Sequence, residues 1–357
     1  MKNQKMINER YISILDSIKK NGGSLKRRNV NDKILIIDGL NTFIRVFSAM
    51  PTVNDDGDHI GGIVGFLNSV GYAIKMVGPT RCIIVFDGKG GSTRRKKLYP
   101  EYKNKRSPSS NPNRVDESLS SLTDENKSMK RQLIRVLEYL ETLPVSVLSI
   151  SNIEADDTIS YITEQLYPKS EIVIMSTDRD FVQLVNDRVA VWSPTKKILY
   201  NKETVLRDFG IPAHNYIMAK IIEGDASDNI AGVNKVGIKT IQKKLTVLLE
   251  NEIVTIEKVL ESIDKLDDES VSTKNLKASK ELLKLNYKLM QLNNVNISTS
   301  AKLKILDIVN APIDLMNKPK FQILFSYDKM WTTIPNVDSW LLQTYETLNS
   351  YARQTIK

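Results

Sequence analysis

Three stretches of this chain are apolar at every position rather than at alternate ones: 34–37 (ILII), 82–86 (CIIVF) and 172–175 (IVIM). Unbroken apolar runs of this length predict strands buried on both faces. The segments between them are long enough for crossover helices, so the pattern predicts an α/β fold with a central, mainly parallel sheet flanked by helices. Each run ends on acid: the first at Asp38, the second at Asp87, and the third through Ser176 and Thr177 at Asp178 and Asp180. Ligands of such sheets bind at the carboxyl ends of the strands, which is where these acids fall.

Two more acidic groups extend the series. Glu154, Asp156 and Asp157 open a helical stretch, where the helix dipole favours negative charge, and Asp225 and Asp228 lie in the segment EGDASDN. Singly, an Asp before Gly is a turn residue and an acid in a first helical turn is a cap. As an ordered series the nine carboxylates are expected to converge, and so many charges in one cleft repel unless cations neutralise them. Hard oxygen ligands select magnesium or manganese over zinc.

Composition removes other chemistries. The single cysteine, Cys82, lies inside a predicted strand, which excludes disulfides, zinc ribbons and a cysteine dyad. The two histidines, His59 and His214, are expected at the surface, which disfavours a histidine triad and leaves metal-bound water as the nucleophile. Charge then points to the substrate. The chain is net +9, with twelve basic and five acidic residues between 94 and 135 and nine basic and three acidic in 1–33. Basic surface beside an acidic cleft suits a nuclease, in which lysines and arginines hold the phosphate backbone.

The segment 87–106, DGKGGSTRRKKLYPEYKNKR, resembles the 5′-nuclease family of flap endonucleases, polymerase 5′-3′ exonuclease domains and phage exonuclease/ribonuclease H enzymes. So do 154–157 (EADD), 176–184 (STDRDFVQL) and 224–233 (GDASDNIAGV), and the resemblance runs from about 33 to 295. It implies a PIN-like 5′-nuclease fold and two magnesium ions, with manganese as a substitute. Asp38, Asp87, Glu154 and Asp156 match ligands of the first ion, direct or through water. Asp178, Asp180, Asp225 and Asp228 match those of the second, and Asp157 a further acid. Lys103 matches a lysine on the scissile phosphate, Arg94 or Arg95 a basic partner on the same helix, and Tyr102 a base-stacking aromatic. Lys105 and Arg106 continue the segment expected on DNA.

The stretch 104–123 is rich in Ser, Asn and Pro and reads as flexible; an amphipathic helix follows over 125–142, with Met129, Leu133, Val136, Leu137 and Leu140 at helical spacing. In the family this region, about 94–142, is an arch that admits a single-stranded 5′ end. Further on, 232–240 (GVNKVGIKT) resembles the hairpin of a helix-hairpin-helix module, whose glycines expose N–H groups to a phosphate and often to a monovalent cation. Gly232, Lys235, Gly237, Lys239 and Thr240 are the DNA contacts this implies. Asn234 and Lys235 stand where the family usually has Pro and Gly.

The expected organisation is a basic extension (1–32), a nuclease core (33–210), a helix-hairpin-helix region (211–295) and a C-terminal helical region (296–357). The expected function is a structure-specific 5′ nuclease, both exonuclease and flap endonuclease, acting on DNA flaps, 5′ ends and RNA primers annealed to DNA in replication or repair. A PIN-like ribonuclease and a non-catalytic DNA-structure-binding protein are the alternatives. A single-strand-binding protein or a clamp is a candidate partner; core packing is the default role of the C-terminal aromatics. Residues 1–32 lack a signal-peptide core and no run approaches a membrane span, so a cytoplasmic monomer, bacterial or phage-encoded, is expected.

Overall fold

The three acid-terminated runs are adjacent strands at the centre of one sheet. A computed structural model describes residues 28–104 and 122–356. Its strands are β1 (Lys33–Asp38), β2 (Arg81–Phe86), β3 (Ser146–Ser149), β4 (Glu171–Met175), β5 (Val189–Ser193) and β6 (Ile198–Tyr200), in the order β3-β2-β1-β4-β5-β6. All neighbours are parallel except β5 and β6. The chain moves outward from β1 to β2 and β3, then returns to place β4 on the other side of β1. The strand order therefore reverses between β1 and β4, the point at which α/β sheets open a crevice at their carboxyl edge.

Before β4 come the helices α1 (Gly39–Ala49), α2 (Gly61–Val77), α3 (Thr93–Leu98), α4 (Leu122–Leu140) and α5 (Ala155–Tyr161). After the sheet come α6 (Lys202–Phe209), α7 (Tyr216–Glu223), α8 (Ile238–Lys244), α9 (Ile256–Asp264), α10 (Val271–Ala278), α11 (Lys280–Met290), α12 (Thr299–Asn310), α13 (Lys318–Tyr327) and α14 (Val337–Ala352). Strand β1 shows why its sequence is apolar throughout. Leu35 and Ile37 pack into the core under α1, α2, α4 and α14, whereas Ile34 and Ile36 pack into the opposite core with α5 and α12. The two-residue period of a strand sends alternate side chains to opposite faces, and here both faces are covered.

The 296–357 segment divides between these cores. Ala301, Ile305 and Val309 of α12 join one, while Phe321, Phe325, Leu341 and Tyr345 of α13 and α14 join the other. A third apolar cluster holds α7 to α11 together, anchored by Ile217, Ile221, Ile241, Val259 and Leu283, and takes in Tyr102 from the nuclease core.

Two expectations are corrected here. His59 is 2% exposed rather than superficial. Its Nε2 lies 2.8 Å from the Met50 carbonyl oxygen, and its Nδ1 lies 3.1 Å from Nε2 of Gln132. Gln132 also donates to the His59 carbonyl and accepts from Gly62 N–H. That bonding requires the inner face of α4, so Leu137 turns to solvent while Gln132, Val136 and Tyr139 are buried.

Candidate active site

Hydrogen bonds, some local and some between distant segments, fix Asp38, Asp87, Asp178 and Asp225 where their elements deliver them. Asp38 closes β1 and caps α1: one carboxylate oxygen accepts from Asn41 N–H (3.1 Å) and the other from Ser176 Oγ (3.1 Å). Asp87 follows β2 and accepts from Ala155 N–H at 2.7 Å, which ties the end of β2 to the start of α5. Gly88 makes that approach feasible, because a β-carbon there would lie 1.7 Å from the Ile150 carbonyl oxygen. Asp178 caps the turn after β4 by accepting from Asp180 N–H at 2.8 Å. Asp225 accepts from Ser227 N–H and Oγ, and its loop is closed by a backbone bridge to Ile230.

Four of the nine predicted acids line one cleft, and Asp180, Asp225 and Asp228 lie close enough to act on Asp178. A cleft of about 310 Å³ is lined by Asp38, Asp87, Asp156, Asp178 and Lys103. Glu154 and Asp228 meet at its edge, where Tyr102 Oη donates to Glu154 (3.2 Å) and to Asp228 (2.9 Å). Lys103 Nζ lies 2.6 Å from Glu154 and 3.9 Å from Asp228. Its backbone is left-handed, φ 57°, and is held there by a bond from its N–H to the Asp228 carbonyl oxygen.

The charges divide into two populations. Burial raises Asp38 to about 7, with Asp178 and Asp87 adding repulsion. Burial also raises Asp180 to about 7, reinforced by Asp178. Asp156 is pushed well up by burial and then by Asp178 and Asp38, and Asp178 is raised by burial with Asp225 and Asp228 adding to it. Asp178 thus feels both the Asp38–Asp156 side and the Asp225–Asp228 side. In contrast, burial of Glu154 is outweighed by Arg95 and Lys103, which hold its carboxyl below the usual range. Burial of Asp225 is likewise outweighed by Lys220 and Ser227.

Raised, mutually repelling carboxylates are the electrostatic signature of a site completed by cations. The donors are all oxygens, which fits a hard divalent ion. Asp180 has a buried carboxylate oxygen with no hydrogen-bond partner, 3.3 Å from Lys220 Nζ. Four of the acids line a shared cleft rather than closing on a point; among the described residues no three form a ready-made cage.

Residues 33–210 match the family described as "5′-3′ exonuclease, N-terminal resolvase-like domain". A curated 5′-3′ exonuclease of Buchnera aphidicola (subsp. Acyrthosiphon pisum) is 30% identical over 304 residues, covering 83% of this chain and 97% of its own. The chain belongs to the 5′-3′ exonuclease family. It is accordingly a nuclease, a hydrolase of phosphodiester bonds. The thermostable DNA polymerase I of Thermus thermophilus is 29% identical over 262 residues, 73% of this chain but 28% of the polymerase. Among solved structures, the bacteriophage T5 D15 flap endonuclease, in a pseudo-enzyme–product complex with DNA and metal ions, shares the fold. Its TM-score is 0.57 at 23% identity, covering 83% of this chain and 97% of the T5 chain.

Within this exonuclease several predicted side chains are placed otherwise than expected. Asp157 turns away from the cleft and is gripped by Arg95 at 2.9 and 3.0 Å and by Arg94 at 3.2 Å. Arg95 is 3% exposed, and it also binds Glu154 and donates to the Leu289 carbonyl oxygen, so its guanidinium has no face left for substrate. Arg94 lines a separate cavity with Asp157, Asn152 and Ser298. Tyr102 is 2% exposed in the third core, so it holds Glu154 and Asp228 with its hydroxyl rather than offering its ring to a base. For Asp157, Arg95 and Tyr102 a buried hydrogen-bonding network claims a side chain that sequence position alone assigned to metal or substrate. Lys105 and Arg106 lie outside the described residues.

In the hairpin, Val233 and Val236 are buried anchors, whereas Asn234, Lys235, Gly237 and Lys239 are exposed and Thr240 is half-buried. Gly232 packs instead of projecting: a β-carbon there would lie 2.0 Å from the Glu223 carbonyl oxygen. Gly237 has open space at that position.

Lys220 is a charged residue beside the acids that sequence reading missed. It is 9% exposed and bonds Asp225 at 2.7 Å. The signal was a lone lysine inside the apolar helix YIMAKIIE, five residues before Asp225. A charge at such a position needs a partner, and the acidic loop supplies it.

Proposed function

We propose that this exonuclease cleaves one phosphodiester near the 5′ end of DNA, at flaps, nicks and RNA primers annealed to DNA, with two magnesium ions held by the eight cleft carboxylates. The observation that carries this reading is the convergence of Asp38, Asp87, Asp156 and Asp178 from four separate chain segments on one crevice that Lys103 also lines, with Asp225 and Asp228 close enough to act on Asp178. Asp38, Asp87, Glu154 and Asp156 would hold one ion, and Asp178, Asp180, Asp225 and Asp228 the other. When bound, such ions activate water and stabilise the departing oxygen. Lys103, fixed by Glu154 and by its strained backbone, positions a cation toward the phosphate in the cleft. The hairpin's exposed Gly237 N–H, Lys235 and Lys239 offer backbone contacts that are independent of sequence. The bacterial exonucleases and polymerases the chain resembles support a replication or repair setting in the cytoplasm.

The test is a cleavage assay on 5′-labelled flap, nicked and RNA-primed duplexes with and without magnesium. Magnesium-dependent release of short 5′-labelled products is expected. Cleavage only of single-stranded RNA, or no cleavage of any of these, would overturn the reading.

Cation binding also sets the pH dependence of stability. Asp38 and Asp180 hold their protons more tightly folded than unfolded, so the stability this confers is present at low pH and lost as pH rises from about 4 to about 7. Bound magnesium replaces those protons. The melting temperature is therefore expected to rise more on magnesium addition at pH 8 than at pH 5, and equal increments at both would exclude the effect.

Lys235 occupies left-handed backbone at φ 59°, which costs a non-glycine residue roughly 1 kcal/mol. Lys235→Gly should stabilise the protein by about that amount while weakening DNA binding and reducing the slope of log affinity against log salt by about one. An unchanged salt slope would remove Lys235 from the phosphate contacts.

A further inference from the structure

The last backbone pair between β1 and β4 is Ile37 with Met175. Beyond it the two strands part to open the acidic crevice, and the bonds that cross the opening come from side chains. They form a closed ring. Asn41 N–H donates to one carboxylate oxygen of Asp38 at 3.1 Å, and Ser176 Oγ donates to the other at 3.1 Å. Asn41 Oδ1 in turn accepts from both the N–H (3.1 Å) and the Oγ (2.9 Å) of Thr177, a residue 136 positions away. Asp178, the next residue, donates its own N–H to Ser176 Oγ at 3.1 Å.

Asn41 and Thr177 both line the acidic cleft, together with Asp38 and Asp178. The orientation of the amide is settled by its partners: a backbone N–H can only donate, so the Asn41 atom facing Thr177 is the oxygen. Among the described residues the Asn41 side chain bonds Thr177 alone, while Asp38 is capped by the Asn41 backbone. The side chain therefore acts on the loop that carries Asp178. Neither end of this link is charged. Asp178 and Asp38 repel one another, and an arginine or lysine bridging them would neutralise the charge that a divalent ion needs. An amide bonded to a hydroxyl and an N–H holds the seam closed and leaves the charge of both carboxylates intact.

We infer that Asn41 is a positioning residue of the metal site: through Thr177 it fixes Asp178 against Asp38, and so sets the separation of the two halves of the cleft. This rests on the two-ion reading proposed above, in which Asp38 belongs to one ion and Asp178 to the other. Groups that orient metal ligands without touching the ion typically change metal affinity by about 10–100-fold when they are removed. Without the Asn41 amide, the Asp178 loop is held across the opening by Ser176 alone, against the repulsion of Asp38. The two carboxylates then lose the spacing at which each serves its ion.

The test measures Mn2+ binding to the DNA-free protein by calorimetry, beside the melting temperature of the metal-free protein. Asn41→Ala is expected to bind Mn2+ about tenfold more weakly or worse. Thr177→Val, which loses one of the two bonds to Asn41, should bind about threefold more weakly, and Thr177→Ser, which keeps the hydroxyl, should restore the affinity. Asn41→Ala combined with Thr177→Val should bind no more weakly than Asn41→Ala alone, because the partner of the hydroxyl is already gone. Parental Mn2+ affinity in Asn41→Ala, losses that multiply in the double variant, or equal losses in Thr177→Val and Thr177→Ser would overturn the inference. If Asn41→Ala does not fold, the comparison of Thr177→Val with Thr177→Ser decides it. Absence of Mn2+ binding by the unaltered protein would instead overturn the two-ion reading, and this inference with it.

Discussion

Asp178→Asn is expected to reduce magnesium-dependent cleavage by at least about a hundredfold to a thousandfold while leaving DNA affinity without divalent ions unchanged or higher. Asp178 is the acid that feels both halves of the cleft, through Asp38 and Asp156 on one side and Asp225 and Asp228 on the other. Removing its charge therefore weakens the field for both ions. The fold should survive, because asparagine keeps the oxygen that accepts from Asp180 N–H. Indeed the metal-free variant should melt no lower than the parent, since one repelling carboxylate is gone from a crowded site. Cleavage within threefold of the parent at saturating magnesium would sink the assignment. A variant that loses activity only by unfolding would be recognised from its melting temperature.

Arg95→Met should destabilise the protein by about 3–5 kcal/mol, the scale for leaving buried charges without their partner. Its guanidinium joins Glu154 and Asp157 at the start of α5 to the Leu289 carbonyl oxygen at the end of α11. One side chain thus ties the acidic cleft to the helices that carry the hairpin. Two buried carboxylates and a carbonyl oxygen lose a donor together when it is removed, leaving Glu154 with Lys103 and Tyr102 and Asp157 with the half-exposed Arg94. Arg94→Met is the contrast, because the Arg94 side chain is 31% exposed and shares only Asp157, so a loss of no more than about 1 kcal/mol is expected. Urea denaturation at neutral pH measures both. Equal small losses would mean that the buried network does not hold these elements together.

Much of this architecture was legible because burial on both faces writes itself into a strand as an unbroken apolar run. The central strands β1, β2 and β4 were read within a residue of their ends, and the acids that follow them were read as converging. The outer strands were not. β3 is short and half-covered, and β6 has three residues with an exposed centre, so neither carries an apolar run long enough to stand out. A turn leading into a helix after Asp228 was legible from its glycines and position, but not that Gly232 serves close packing against Glu223 while Gly237 faces open space.

The sequence by itself determined the α/β class, the carboxyl-edge location of the acids, and the basic surroundings that suit a nucleic acid. These are properties of local pattern and composition. Only the tertiary structure decided which charged side chains face the cleft and which face each other. Asp156 and Asp157 are adjacent in sequence on one helical turn, yet Asp156 lines the cleft while Asp157 pairs with Arg94 and Arg95. Tyr102 and Lys103 separate in the same way, one into a core and the other to the cleft edge. The physical reason is that a charge or hydroxyl taken from water must find a partner, and the partners, Arg95 with Leu289 and Lys220 with Asp180, come together only when distant segments pack.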